Sequence, residues 1–486
     1  MSKATLSPAG PRPLPRIIQG GMGVGVSGWQ LAGTIAAAGQ LGVVSGTALE
    51  VVYARRLQRG DPGRHVRRAF DAFPIRAIAD RVLERYFVEG GIPPGQKFKS
   101  VPTYTLTPPA ELVELSVLTN FCEVWLAKDL GAGGLVGVNY LYKIQMPLLA
   151  SLYGALLAEV DYVIVGAGNP SEVPAAMTRL TRGEEASLKA KVFYADASDD
   201  YRVRFDPRAV MGEAPPMLPR PRFIAIVSSA EQAAAMSDPA GRDEAPDGFI
   251  VEAPTAGGHN APPRGPLRLT STGEPAYGPR DAVDFDAFRQ LRLPFWLAGG
   301  FGSPEGLSRA EREGAAGVQV GTAFAFCRES GLDDALKATI VEQVATGSAR
   351  VFTDAKASPT GFPFKVVPVP DTLADDATYA ARRRVCDLGF LRAPFKSRDG
   401  DLGYRCPAEP ERLYARKRGR PDQTEGRKCL CNGLLANIGL GQVRKDEQAE
   451  LPLVTAGDDL AHVGQFLPAG ATTYGARDVL DALQSN

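Results

Sequence analysis

Two glycine-bearing stretches carry the clearest chemical signal in this chain, Leu297-Ala298-Gly299-Gly300-Phe301-Gly302 and Gln319-Val320-Gly321-Thr322. A residue without Cβ lets backbone N–H groups close on phosphate oxygens, and the start of a helix adds a favourable dipole. Thr322 can add a hydroxyl donor. The pair therefore predicts a phosphate held between Gly299-Gly300 and Gly321-Thr322, although two ordinary tight turns would use the same residues. His259 is one of only three histidines and lies in Ala256-Gly257-Gly258-His259. Imidazole there could accept a carbon-bound proton or hydrogen-bond a substrate oxygen near neutral pH, while a lone histidine in a turn is often structural.

Three cations could reach a ligand. Lys143 in Asn139-Tyr140-Leu141-Tyr142-Lys143 falls just past a strand end, and Arg264 and Arg268 lie in a Pro/Gly/Arg-rich segment. A salt-bridged surface lysine and a solvated loop are the ordinary alternatives. Cys386, Cys406, Cys429 and Cys431 are concentrated near the C-terminal end. Four thiolates could bind Zn²⁺ or an iron–sulfur cluster, but C-x-C is not the usual zinc knuckle and unrelated buried thiols explain them as simply.

These residues need a frame that brings them together. Short apolar runs occur at Arg16–Gln19, Leu41–Ser45, Leu135–Tyr140, Tyr162–Gly166, Phe223–Ser228, Gly248–Glu252, Pro294–Ala298 and Gly317–Val320, with helix-like stretches between several of them. Most are apolar throughout, as parallel strands buried on both faces are. Eight such strands predict an α/β fold, a (β/α)₈ TIM barrel, whose βα turns gather at one mouth and whose phosphate site often follows strands seven and eight. An open doubly wound sheet would explain the glycines of Gly20–Gly25 but not those after the later strands.

The barrel is expected over residues 14–350, with insertions at about 49–134 and 171–221, the second holding a further strand-like run, Lys191–Ala195. Asn260–Leu293 reads as a lid over the mouth, and Asp333–Ala345 as the last barrel helix. Residues 351–486 are then a C-terminal extension packed on the barrel.

Lys+Arg and Asp+Glu both number 55, so no overall field draws the chain to nucleic acid or an anionic membrane, and a small-molecule ligand is favoured. MSKATLSPAGPRPLPR has no apolar signal core, and no later run has the length of a membrane span, which sets the expectation of a cytoplasmic protein.

Six stretches in order resemble the nitronate monooxygenase (2-nitropropane dioxygenase-like) family of FMN-dependent barrels, related to flavin-dependent enoyl-ACP reductases. They are Ile17-Ile18-Gln19-Gly20-Gly21-Met22-Gly23, Gly137-Val138-Asn139, Gly166-Ala167-Gly168, Ala256-Gly257-Gly258-His259, Ala298-Gly299-Gly300 and Gln319-Val320-Gly321-Thr322. The resemblance implies FMN, with its phosphate at Gly299, Gly300, Gly321 and Thr322. It also implies that Gly21 and Met22 line the ring, that Asn139 and Gly168 contact it, that Gly258 lies near it, and that His259 is catalytic. Met22 could equally be core filler and Asn139 a helix cap.

The expected activity is oxidation of a small carbanion or nitronate by O₂. An NAD(P)H-dependent enoyl-thioester or quinone reductase is the near alternative, since Gly166-Ala167-Gly168-Asn169-Pro170 is shared with the reductase branch. A non-catalytic phosphate-binding scaffold is the alternative of another class. An IMP-type dehydrogenase barrel would need a cysteine at the mouth, and neither Cys122 nor Cys327 lies in such a loop.

Overall fold

The computed structural model describes residues 13–237, 244–444 and 448–485; residues 1–12 of the N-terminal stretch read for targeting lie outside these. The strands in chain order are β1 (Ile17–Gln19), β2 (Gly42–Ser45), β3 (Val136–Leu141), β4 (Tyr162–Gly166), β5 (Ala186–Lys189), β6 (Arg202–Phe205), β7 (Arg222–Val227), β8 (Gly248–Glu252), β9 (Phe295–Ala298), β10 (Gly317–Val320), β11 (Phe352–Asp354), β12 (Phe364–Val366), β13 (Ala393–Lys396) and β14 (Leu402–Arg405).

Eight of them form one parallel sheet in the order β1-β10-β9-β8-β7-β4-β3-β2. An Ile18–Leu41 bridge closes it, with the Gln19 amide donating to the Leu41 carbonyl at 2.9 Å. The fold is thus the expected TIM barrel, and each barrel strand starts and ends within a residue of its apolar run. Its interior is filled by Ile18, Leu41, Val43, Ile164, Ile224, Ile250 and Trp296, side chains that point inward from strands buried on both faces. Trp296 satisfies its indole N–H on the Pro15 carbonyl at 2.7 Å, so the largest inward side chain leaves no polar group unpaired.

The first insertion is helical, with Leu49–Gln58, His65–Ala72, Arg76–Tyr86 and the long Ala110–Leu130 packed outside the barrel. The second folds as the antiparallel hairpin β5–β6. The expected strand at Lys191–Ala195 does not form; Phe193 makes only a single bridge to Phe395 of β13. The helix expected at Asp333–Ala345 runs Asp334–Ala345, with Asp333 as its cap accepting from the Ala335 and Leu336 amides.

Beyond it lie two short antiparallel pairs, β11–β12 and β13–β14, with short helices between long connections. Residues of this extension such as Val366, Leu373, Leu435, Leu453 and Val479 belong to the same hydrophobic cluster as the outer barrel and its helices. No described helix is long and apolar enough to cross a membrane.

Candidate active site

The C-terminal ends of parallel strands share one face, so every βα turn of the barrel meets there. All six glycine-bearing stretches contribute to a single cavity of about 500 Å³ at that mouth, a size in the range of cofactor sites. Gly21, Met22, Asn139, Gly168, Gly258, His259, Gly299, Gly300, Gly321 and Thr322 all line it.

Local chemistry explains the loop after β1. The Gln19 side chain accepts from the Val43 amide at 3.0 Å and donates to Ser27 Oγ at 2.9 Å. Ser27 Oγ in turn accepts from the Met22 amide at 2.9 Å, and Ser45 Oγ donates to the Gly23 carbonyl at 2.7 Å. Gly21 runs so close to β3 that a Cβ there would lie 2.3 Å from Asn139 Cβ, which no other residue tolerates.

At the opposite side of the mouth Gly299 and Gly300 have φ of +87° and +75°, in the left-handed region that favours glycine. A Cβ on Gly299 would also meet the Ala256 amide nitrogen at 2.8 Å. The amides of Gly300, Phe301, Gly302 and Gly321 donate to no acceptor among the described residues, as expected of donors kept for an anion. Thr322 is less free than its motif implied. Its Oγ1 accepts from the Gly457 amide at 2.9 Å, and it also meets the carboxyl of Asp459, which burial pushes above the ordinary carboxylate range.

The loop carrying His259 is stitched to the extension. The Lys365 amide donates to the Gly258 carbonyl at 2.9 Å, the Asn260 amide donates to the Pro363 carbonyl at 3.0 Å, and the Gly258 amide donates to Thr455 Oγ1 at 2.9 Å. His259 Nε2 is 2.7 Å from Ser358 Oγ, and its ring lies edge-on to Phe364 with centroids 4.8 Å apart. Burial, reinforced by Lys143, holds this imidazole well below its ordinary pKa, so it is neutral.

Lys143 Nζ sits 4.6 Å from the Phe362 ring centroid and has no hydrogen-bond partner among the described residues. Lys143 does not itself line the cavity, and burial lowers its pKa well below that of a free amine. Glu252, at the end of β8, does line the cavity, and burial raises its carboxyl to about 7, with Lys143 pulling the other way. Asn260 Oδ1, also buried at the cavity, has no partner among the described residues.

Two expectations require correction. Arg264 does not line the cavity: its guanidinium donates at 2.8 Å to the carbonyl of Ser228, which does, and its backbone amide donates to Asp281 at 2.8 Å, so it fastens the loop at the cavity's edge. Of the proposed lid, only Asn260, Ala261 and Pro262 reach the cavity, and Arg268 is exposed. The covering role falls to the extension, which supplies Phe362, Phe364, Phe390, Leu391, Leu430 and Leu434.

Sequence reasoning also passed over Glu252, although the end of a barrel strand is where a reactive side chain is expected. The roof residues gave no such signal. Cys431 is the one thiol lining the cavity, and burial raises its pKa well above the ordinary value, so it is not a poised nucleophile. Among the described residues no three His, Cys, Asp or Glu side chains are grouped as a metal-ion site.

Residues 222–355, spanning β7 to β11, match the family model for nitronate monooxygenase. No curated protein matches the chain. Among solved structures, the chain is similar to FabK from Thermotoga maritima at 15% identity, covering 96% of this chain and 91% of that one with a TM-score of 0.45. It is similar to nitroalkane oxidase from Streptomyces ansochromogenes at 17% identity, covering 97% and 94% with a TM-score of 0.46. The enoyl reductase domain of MlnA from Bacillus amyloliquefaciens gives 12% identity, 96% and 92% coverage, and a TM-score of 0.48. Likeness of this strength assigns no chemistry. The family match thus falls on the part of the barrel that carries His259, Gly299, Gly300, Gly321 and Thr322, and all six stretches gather at the same mouth.

Proposed function

We propose that the cavity binds FMN and that the enzyme oxidises a small carbanion or nitronate substrate with O₂. The residues suit the cofactor: unpaired amides at Gly300, Phe301, Gly302 and Gly321 answer a phosphate, and Gly21, Met22 and Asn139 line the same cavity. Bound there, FMN would supply two-electron acceptance and reactivity with O₂.

The observation that carries the reading is an imidazole held at the cavity wall by Ser358. In the tautomer whose Nε2–H donates to Ser358 Oγ, Nδ1 of His259 is the nitrogen that would take a carbon-bound proton, and Phe364 packs edge-on against the ring. Burial disfavours the charged forms of the neighbouring Lys143 and Glu252, and apolar side chains of the extension line the cavity.

The competing use of the cavity, an NAD(P)H-dependent enoyl-thioester or quinone reductase, would bring a second phosphate-rich ligand. Among the described residues no Lys or Arg lines the cavity to receive it. Anaerobic spectroscopy separates the two. Bleaching of the flavin band by a small nitronate supports the proposal, bleaching by NADH or NADPH alone transfers the assignment to the reductase, and a protein that binds no FMN overturns both.

A further inference from the structure

Of the six thiols in the chain, Cys386 and Cys406 are the two that hydrogen-bond to each other. They pack with Ala408 and Cys429 beside a void of about 10 Å³, room for about one water, and belong to no group of described residues that could hold a metal ion. The contact joins segments 20 residues apart in the chain. Cys406 directly follows β14, where its amide donates to Glu409 Oε1 at 3.3 Å and its carbonyl accepts from the Glu409 amide at 2.9 Å, so a tight turn fixes its sulfur. Cys386 lies in the irregular stretch after the helix Asp376–Ala381.

The two thiols are unequal. Cys386 is half-buried, whereas Cys406 is buried, as are Cys122, Cys327 and Cys429. The Cys406 thiol donates to the Cys386 sulfur, which, with the Arg392 guanidinium nearby, holds Cys386 below the ordinary thiol pKa. The same bond and burial raise Cys406 well above it, so the shared proton stays on Cys406. Burial raises the other four thiols. Inert core thiols are buried and raised; an accessible thiol of lowered pKa with a second thiol in contact is the arrangement that peroxides oxidise selectively.

We propose that Cys386 and Cys406 form a peroxide-reactive dithiol, with Cys386 as the attacking thiol and Cys406 as the resolving one. The Cys386 thiolate attacks one oxygen of hydrogen peroxide, the O–O bond breaks, and the departing hydroxide takes up a proton as water, leaving a sulfenic acid. The Cys406 sulfur then attacks the Cys386 sulfur, the S–S bond forms, the S–O bond breaks, and a second water leaves with the Cys406 proton. Two thiols are oxidised by two electrons and one peroxide is reduced to two waters. The loop closed by this bond contains β13, β14, Phe390 and Leu391, and the last two line the active-site cavity. Oxidation therefore fastens that part of the roof to the segment before it.

The test is a free-thiol count of the full chain, denatured after native treatment with a small excess of hydrogen peroxide, together with peptide mapping by mass spectrometry before and after dithiothreitol. The expected result is loss of two of the six thiols, recovered on reduction, with a peptide joining Cys386 to Cys406 that is lighter by two hydrogens. Unchanged thiols, a loss that dithiothreitol does not reverse, or a bond through any other cysteine overturns it. In Cys406→Ser the sulfenic acid should persist at Cys386 and be captured by dimedone, and in Cys386→Ser peroxide should remove no thiol; capture at Cys406 in Cys386→Ser overturns the assignment of attacking thiol. The wild-type map decides the pairing if either variant fails to fold. No readout uses flavin or substrate, so this proposal and the reading of the cavity fail separately.

Discussion

The barrel wall and the roof above it are built by different means. In the wall, eight short strands bury aliphatic side chains on both faces, and glycine turns with unpaired backbone amides line the mouth. In the roof, strands of three or four residues are joined by long connections and locked by side chains. Glu450 accepts from Nε and Nη2 of Arg382 at 2.7 Å and also from Arg444, which bonds Asp387 at 2.6 Å. Lys365 bonds Asp458 at 2.6 Å, and Lys428 bonds Asp376 at 2.7 Å. The wall thus places the glycine turns, and the roof covers the cavity they line.

Four experiments would break or sharpen that contrast, and the largest effect is expected in the wall. Gly299→Val forces a branched side chain into a left-handed position costing about 1–3 kcal/mol of backbone strain, besides the clash with the Ala256 amide. Strain and clash together exceed the roughly 1.4 kcal/mol that separates tenfold steps in affinity, so purified Gly299→Val protein should carry less than about a tenth of the wild-type flavin. Full occupancy would remove this turn from the cradle. His259→Ala should retain flavin yet lose about 10²–10⁴ in kcat/KM for the carbon acid, the usual share of a general base. An unchanged rate in stopped-flow reduction would leave His259 structural.

In the roof, Glu450→Ala strands two buried or half-buried arginines and should cost about 3–5 kcal/mol, read from denaturant unfolding. A loss below about 1 kcal/mol would mean that apolar packing, not the ionic lock, holds the extension.

The smallest effect is a pH slope. Glu252 has its folded pKa raised from 4.5 to about 7 by burial, so its contribution to stability is full below pH 4.5 and is lost as pH rises toward 7. Glu252→Gln should flatten the Tm profile across that window. His259 acts with the opposite sign: its lowered pKa gives stability present above pH 6.5 and lost as pH falls through the folded value. A Glu252→Gln profile parallel to wild type would show that the carboxyl is better solvated than its position implies.

The legible part of the molecule was the part written locally. Buried strands such as Tyr162–Gly166 are continuous apolar runs, and a turn such as Gly299-Gly300 carries its own conformational requirement, so both can be read one segment at a time. Lys191–Ala195 misled because a short apolar run takes strand form only when a partner edge is available, and Phe193 alone finds one. Arg264 misled because a cation near a mouth is equally able to cap a carbonyl.

The sequence by itself determined the barrel and the glycine turns and His259 that the fold gathers at one mouth. Only the tertiary structure decided that the extension, not the segment after His259, covers that mouth, and that four scattered cysteines share one void. The reason is distance along the chain: His259 meets Ser358 across 99 residues and Gly457 meets Thr322 across 135. No periodicity or local turn preference encodes pairings of that range; they arise when the folded barrel offers a surface on which the later chain can bury its own apolar side chains.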